Sequence, residues 1–226
     1  CSGFDSAERS AKLPRRPCVA TMPPMPPMPP MPPALPSPTV AAGRLRAIVR
    51  ATPWLMRALQ AGRAAGVADW CIGAGALRNA VWDHLHGHPL PSALTDLDFA
   101  WFDASPQTES DAAVQARLQA LAPGLPWEVV NQARVHEWFE AQFGHAVEPL
   151  SSLQDAVATW PEYATAVAVT LRADGGLDLI APHGLDDLLA MRVRHNPARA
   201  SRDTFRHRVA TKRYAERWPK VVIEGA

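Results

Sequence analysis

Between residues 43 and 222 the apolar positions recur with two different periods. In "GRLRAIVRATPWLMRALQAGRAAG" they fall at helical spacing, split near Pro53 and stopped at Gly66, which predicts two consecutive helices. "DWCIGAG" is a short apolar run entering a glycine turn, the pattern of a buried strand, and "ALRNAVWDHLHG" returns to helical spacing until Gly87 and Pro89. "LTDLDFAWFD", Leu94 to Asp103, reads as a second buried strand. The pattern continues with a helix over "SDAAVQARLQALA" capped by Ser110, a third strand over "WEVVNQARV", and helices over "HEWFEAQFG" and "SLQDAVATW". A hairpin follows over "ATAVAVTLRADGGLDLIAP", turning at "ADGG", and "LDDLLAMRVRHN" and "DTFRHRVATKRYAERW" are predicted as terminal helices. Strands interleaved with helices through short connections, plus one hairpin, predict a single α+β domain over 43–222, its mixed β-sheet flanked by helices. Residues 1–42 lack either period. The repeat "MPPMPPMPPMPP" (Met22 to Pro33) favours polyproline II and predicts a disordered Pro/Met-rich tail.

Composition narrows the class. The chain has 226 residues, 47% of them hydrophobic, enough for one core. No apolar run approaches the roughly 20 residues of a membrane span, so no membrane partner is expected. Cys1, Cys18 and Cys71 are odd in number and lack metal-ligand spacing, which argues against a disulfide framework or a zinc site. A cytoplasmic location is expected, with Cys71 as a small buried residue. The net charge of +1 hides an asymmetry, because residues 44–191 carry 9 Lys+Arg against 17 Asp+Glu while residues 192–226 carry 10 against 3. An acidic body with a basic C-terminal segment suits a cation-dependent site that meets phosphates, or a basic helix docked on its own acidic domain.

The chemistry centres on Asp96 and Asp98. Two apart on an extended chain, they share one face of the sheet, while Leu97, Phe99 and Trp101 take the other. Paired carboxylates amid apolar sequence repel and lose hydration, an arrangement that a divalent cation relieves. The plainer alternative has Asp96 capping the strand entry and Asp98 paired with an arginine. Upstream, Gly73, Ala74 and Gly75 lie between strand and helix, where glycines let a ligand approach the backbone and helix-start N–H groups suit an anion. The turn lacks the spacing of a P-loop or of a dinucleotide fingerprint. A phosphate cradle followed by Asp-x-Asp supplies two halves of a metal–triphosphate site, with Mg²⁺ or Mn²⁺ on hard oxygen ligands. Glu128, on the next predicted strand, is preferred as the third carboxylate over Asp178 of the hairpin, because consecutive elements are more often neighbours. Arg78 could reach a phosphate with its fork of donors, or pair with Asp83 or Asp98. Asn131, Gln132 and Arg134 could line the acceptor side or serve as hydrogen-bonding groups at a strand end. His84, His86 and His88 read as an exposed helix end rather than a metal site.

"GAGALRN" (Gly73 to Asn79) followed by "GHPLPSALTDLDFAWF" (Gly87 to Phe102) resembles the polymerase-beta-type nucleotidyltransferase superfamily. The local wording is similar to the first motif of tRNA CCA-adding enzymes. "VWDHLHG", "WEVVNQARVHEWF", "ATAVAVTL" and "IAPHGLDDLLAMRVRHNP" extend the likeness, over about residues 44–222, to a bacterial nucleotidyltransferase-like family within that superfamily. The resemblance implies that Gly75 belongs to the phosphate-cradling turn and that Asp96 and Asp98 are catalytic metal ligands. It further implies transfer of a nucleoside monophosphate from a nucleoside triphosphate to a hydroxyl acceptor, which could be a small molecule, a protein or an RNA. Two positions depart from the superfamily pattern: Ala74 stands at its first glycine, and Asn79 replaces an acidic residue. These departures keep open a catalytically inactive nucleotide-binding or interaction module on the same fold.

Overall fold

The computed structural model describes residues 37–225. The tail expected over residues 1–42 falls largely outside them, and the folded part starts ahead of Gly43. Pro38 opens the first helix, its fixed φ and missing N–H suiting an N-terminal position. In chain order the elements are α1 (Pro38–Arg50), α2 (Pro53–Ala64), β1 (Trp70–Gly73), α3 (Ala74–His86), β2 (Leu97–Trp101) and α4 (Asp111–Leu121). They continue with β3 (Trp127–Asn131), a 3₁₀ turn (Gln132–Arg134), α5 (Val135–Phe143), α6 (Leu153–Ala158), β4 (Ala168–Leu171) and β5 (Leu177–Ile180). The C-terminal part holds α7 (Asp186–Leu189), β6 (Arg192–Arg194), α8 (Arg202–Lys212), α9 (Tyr214–Arg217) and β7 (Val222–Glu224).

Five strands form a mixed sheet in the order β3-β2-β1-β4-β5. The pair β2–β3 is parallel and connected through α4, whereas the other neighbours run antiparallel. Period-two burial separates the sheet's faces. Ile72, Leu97, Phe99, Trp127 and Val169 join Leu45, Leu55, Leu77 and Leu118 of the helices in the main core. Trp70 stacks on Phe99 at 5.3 Å between ring centroids. On the opposite face Cys71, Ala100 and Ala168 pack against Leu153 and Val157 of α6. That face is left open beyond Ala100, where Asp98 emerges.

Local signals set the boundaries. Ser110 accepts from the Ala113 N–H at the start of α4, and Gly87 and Gly144 close α3 and α5 in the left-handed conformation. The hairpin forms over β4 and β5 as its pattern predicts. The C-terminal prediction needs correction. The helix expected over "LDDLLAMRVRHN" stops at Leu189, Met191 turns left-handed at φ 56°, and Arg192–Arg194 becomes β6. Strand β6 pairs in parallel with β7, a partner distant in sequence, and Arg192 and Arg194 hold Asp187 at 3.0 and 2.8 Å. The last predicted helix is likewise divided at Arg213, φ 51°, into α8 and α9. Among the described residues no helix is long and apolar enough to cross a membrane.

Candidate active site

The turn from β1 into α3 is held from behind. A Cβ at Gly73 would lie 2.6 Å from the Val167 carbonyl, 2.7 Å from the Trp160 ring and 2.8 Å from Ala168 Cβ. Only glycine lets β1 sit this close to the segment entering β4. The Ala74 N–H donates to that same Val167 carbonyl at 3.2 Å, and Ala74 takes φ 47°. This left-handed backbone explains why a glycine suits the position in the superfamily pattern that the sequence resembles. Gly75 is less confined: its Cβ would make only ordinary contacts, 3.5 Å from Arg78 Nη2 and 3.6 Å from Asp96 Oδ1.

Across the cleft, β2 carries Asp98 and its entry carries Asp96, both half-buried. Register places Asp98 directly beside Glu128 on parallel β3, so both project from the same face of the sheet. Burial, followed by the nearby charges of Asp96 and Glu128, pushes the Asp98 carboxyl up to about 6, only partly offset by the Gly75 N–H and the Lys212 ammonium. Asp96, Asp98 and Glu128 therefore line one cleft, where the two neighbours disfavour charge on Asp98. Lys212 reaches in from the end of α8, its Nζ 3.5 Å from Asp96 Oδ2. The cleft has a volume of about 260 Å³, and Gly75, Asp96, Asp98, Glu128, Arg208 and Lys212 are on its wall. Asp178 is not there; it sits on edge strand β5 and pairs with Arg172 at 2.9 Å.

A family model described as nucleotidyltransferase matches residues 60–223, from α2 to β7. The chain belongs to this nucleotidyltransferase family. A solved structure described as revealing a CCA-adding enzyme head domain by NMR is similar, with a TM-score of 0.68 and 26% identity. That match covers 81% of this chain and 96% of the other. No curated protein sequence matches the chain.

In this nucleotidyltransferase Arg78 lies deeper than its position in the motif implies. It is 2% exposed and donates to Asn79 Oδ1 at 2.8 and 3.2 Å. The rings of Trp82, Tyr214 and Trp218 surround its guanidinium at 5.1–5.7 Å. It pairs with neither Asp83 nor Asp98. Asp83 instead accepts from Trp218 Nε1 at 2.8 Å and from the Ser92 N–H at 2.7 Å. Asn79 thus stands where it orients Arg78, and the charge of Arg78 lies just behind Gly75.

Trp160, Thr165, Arg208 and Lys212 of the cleft wall carry no signal in the first motif. Arg208 of α8 grips Glu162 with two hydrogen bonds of 2.6 and 3.1 Å. Glu162, 1% exposed, also accepts from Thr165 Oγ1 at 2.7 Å. Burial pushes this carboxyl up, but Arg208, Thr165 and the charge of Arg78 more than offset it and hold it below the ordinary range. Trp160 and Lys212 complete the wall. The basic composition after residue 191 signals such a contribution, but not which cations turn inward. Asn131 caps the 3₁₀ turn through the Ala133 N–H and binds the Asp103 backbone, Arg134 pairs outward with Glu137, and Gln132 alone of the three lines the cleft.

The donor set fits a hard divalent cation. Mg²⁺ takes one or two protein carboxylates and completes its shell with water and substrate phosphates, rather than requiring an all-protein cage. Among the described residues no three His, Cys, Asp or Glu side chains are gathered into a ready-made metal cage. Two neighbouring aspartates match the first requirement, because a bound cation would offset both the burial and the neighbouring charges that raise Asp98.

Proposed function

We propose that the protein transfers a nucleoside monophosphate from a nucleoside triphosphate to a hydroxyl acceptor, with Mg²⁺ or Mn²⁺ held by Asp96 and Asp98. The observation that carries this reading is that Asp96, Asp98 and Glu128 share one cleft with Ala74 and Gly75 of the glycine turn. Gly75 leaves room for the triphosphate at the start of α3, where helix N–H groups favour anions. Gly73 and Ala74 hold that turn against the sheet, and Arg78 supplies positive charge from beneath it. Lys212 exchanges its contact with Asp96 for a phosphate oxygen when nucleotide enters. Glu128, beside Asp98, receives the proton of the acceptor hydroxyl. The new bond joins the acceptor oxygen to the α-phosphorus, the bond from the α-phosphorus to the bridging oxygen breaks, and pyrophosphate leaves with the electron pair. The divalent cation, when bound, neutralises charge on the phosphates. Positioning and electrostatics supply most of the acceleration. The reading assigns the reaction to the cytoplasm, where nucleoside triphosphates and Mg²⁺ are plentiful.

Isothermal titration of the four nucleoside triphosphates with Mg²⁺ or Mn²⁺ tests it, comparing wild type with the Asp96→Asn/Asp98→Asn double variant. Metal-dependent binding that disappears in the variant supports the site. Binding that persists unchanged in the folded double variant removes Asp96 and Asp98 from it.

A further inference from the structure

A second pocket of about 270 Å³ opens from the cleft beneath α5. It shares Asp98, Val130, Gln132, Trp160 and Pro161 with the cleft, but not Gly75, Asp96 or Lys212. Its own wall is aromatic. Trp138 and Phe143 are 39% and 43% exposed, although both are large hydrophobic side chains, and Phe139 packs between them. The ring centroids of Phe139 and Phe143 are 4.5 Å apart, and the Arg199 guanidinium covers Phe139 at 5.9 Å. Exposed aromatic surface beside a polar reaction centre is unusual unless something covers it.

We infer that this pocket is the acceptor site and that the acceptor is a small aromatic alcohol or phenol. The inference rests on the transfer reaction proposed above. Displacement at the α-phosphorus is in line, so the attacking oxygen must approach from the side opposite the departing pyrophosphate. Pyrophosphate belongs to the Gly75 and Lys212 end, and the aromatic pocket adjoins Asp98 at the other end. The nucleoside leaves the α-phosphorus equatorially and does not occupy that line. Size fits one substituted ring, since a cavity of about 150 Å³ already accepts benzene. The pocket wall carries a single cation, Arg199, and α5 contains no Lys or Arg with which to follow a polynucleotide backbone. The chemical balance is that of the transfer itself: the aromatic substrate's hydroxyl oxygen bonds to the α-phosphorus, its proton passes to Glu128, and pyrophosphate leaves.

The test uses p-cresol and benzyl alcohol as probes, with binding followed by saturation-transfer NMR. Product formation in the presence of the four nucleoside triphosphates and Mg²⁺ is read by mass spectrometry. Both probes are expected to bind the wild type. Ala200→Phe, which fills the pocket, should weaken them at least tenfold while changing nucleotide affinity less than twofold. Trp138→Ala, at an exposed position, repeats the measurement should Ala200→Phe fail to fold. An aromatic nucleotidyl ester in the wild type that is lost in the variant completes the case. Nucleotide affinity falling in parallel with probe affinity would overturn it, because the pocket would then hold the base. Displacement of the probes by a single-stranded oligonucleotide would overturn it in favour of a nucleic-acid acceptor. Failure of both probes to bind a protein that does bind nucleotide rejects the acceptor pocket and leaves the transfer reaction standing. Failure of nucleotide to bind at all rejects the reaction itself.

Discussion

Asp98 and Glu128 are directly paired residues on two parallel strands, so their carboxylates project side by side from one face of the sheet. Neighbouring strands lie about 4.8 Å apart, and unneutralised like charges at that spacing are unfavourable. Burial first, then the charges of Asp96 and Glu128, raises the Asp98 carboxyl. Asp98→Asn should lower nucleotidyl transfer on the order of 10²–10³-fold while the fold persists or becomes more stable, since it removes a repelled charge. Steady-state kinetics and urea unfolding on the same preparation check both halves of this expectation.

Gly73 and Gly75 should respond in opposite ways to alanine. At Gly73 the new methyl meets backbone and ring atoms at 2.6–2.8 Å, so Gly73→Ala should cost about 1–3 kcal/mol of stability. At Gly75 the nearest atoms are 3.5 Å or more away, so Gly75→Ala should fold normally. It should nevertheless weaken nucleotide binding about tenfold, roughly 1.4 kcal/mol, by crowding the phosphates. Equal stability losses in the two variants, measured by chemical denaturation, would contradict this division.

Ala74 carries backbone strain at φ 47°. Ala74→Gly releases it but adds freedom to the unfolded chain, and the two effects partly cancel. A net gain of up to about 1 kcal/mol is expected, with transfer activity retained. A clear loss of stability in thermal and urea unfolding would show that the left-handed turn is not strained by alanine.

The buried pair of Glu162 and Arg208 gives a prediction for pH. Its folded-state environment holds Glu162 below the ordinary carboxylate range. The stabilisation is therefore complete above the unfolded pKa of roughly 4.3 and is lost as pH falls through the lower folded value. Glu162→Gln should cost on the order of 3 kcal/mol near neutrality, because Arg208 loses its counter-charge. The difference from wild type should shrink as pH falls towards 3. A stability difference that stays constant between pH 7 and pH 3 would show that the pair is not responsible.

Much of this architecture is legible in the chain. Caps and glycine stops fix the ends of α3, α4 and α5, because each is a bond or a dihedral made within a few residues. The hairpin at "ADGG" is equally local. The segment from Leu185 to Asn196 reads as a helix and is not one, since β6 depends on a β7 partner that sequence periodicity does not reveal. Arg78 illustrates the same limit within the site. Its place in the motif points towards phosphate, yet Trp82, Tyr214 and Trp218, two of them distant in sequence, enclose it.

The sequence by itself determined the helix and strand periods, the common face of Asp96 and Asp98, and the glycine turn ahead of them. Those are consequences of backbone geometry acting over a few residues. Only the tertiary structure decided that Glu128 rather than Asp178 stands beside Asp98, because strand order is set by which faces bury together. It also decided that Lys212 turns inward and that an aromatic pocket opens beyond Asp98. Such juxtapositions depend on long-range packing, which local spacing does not encode.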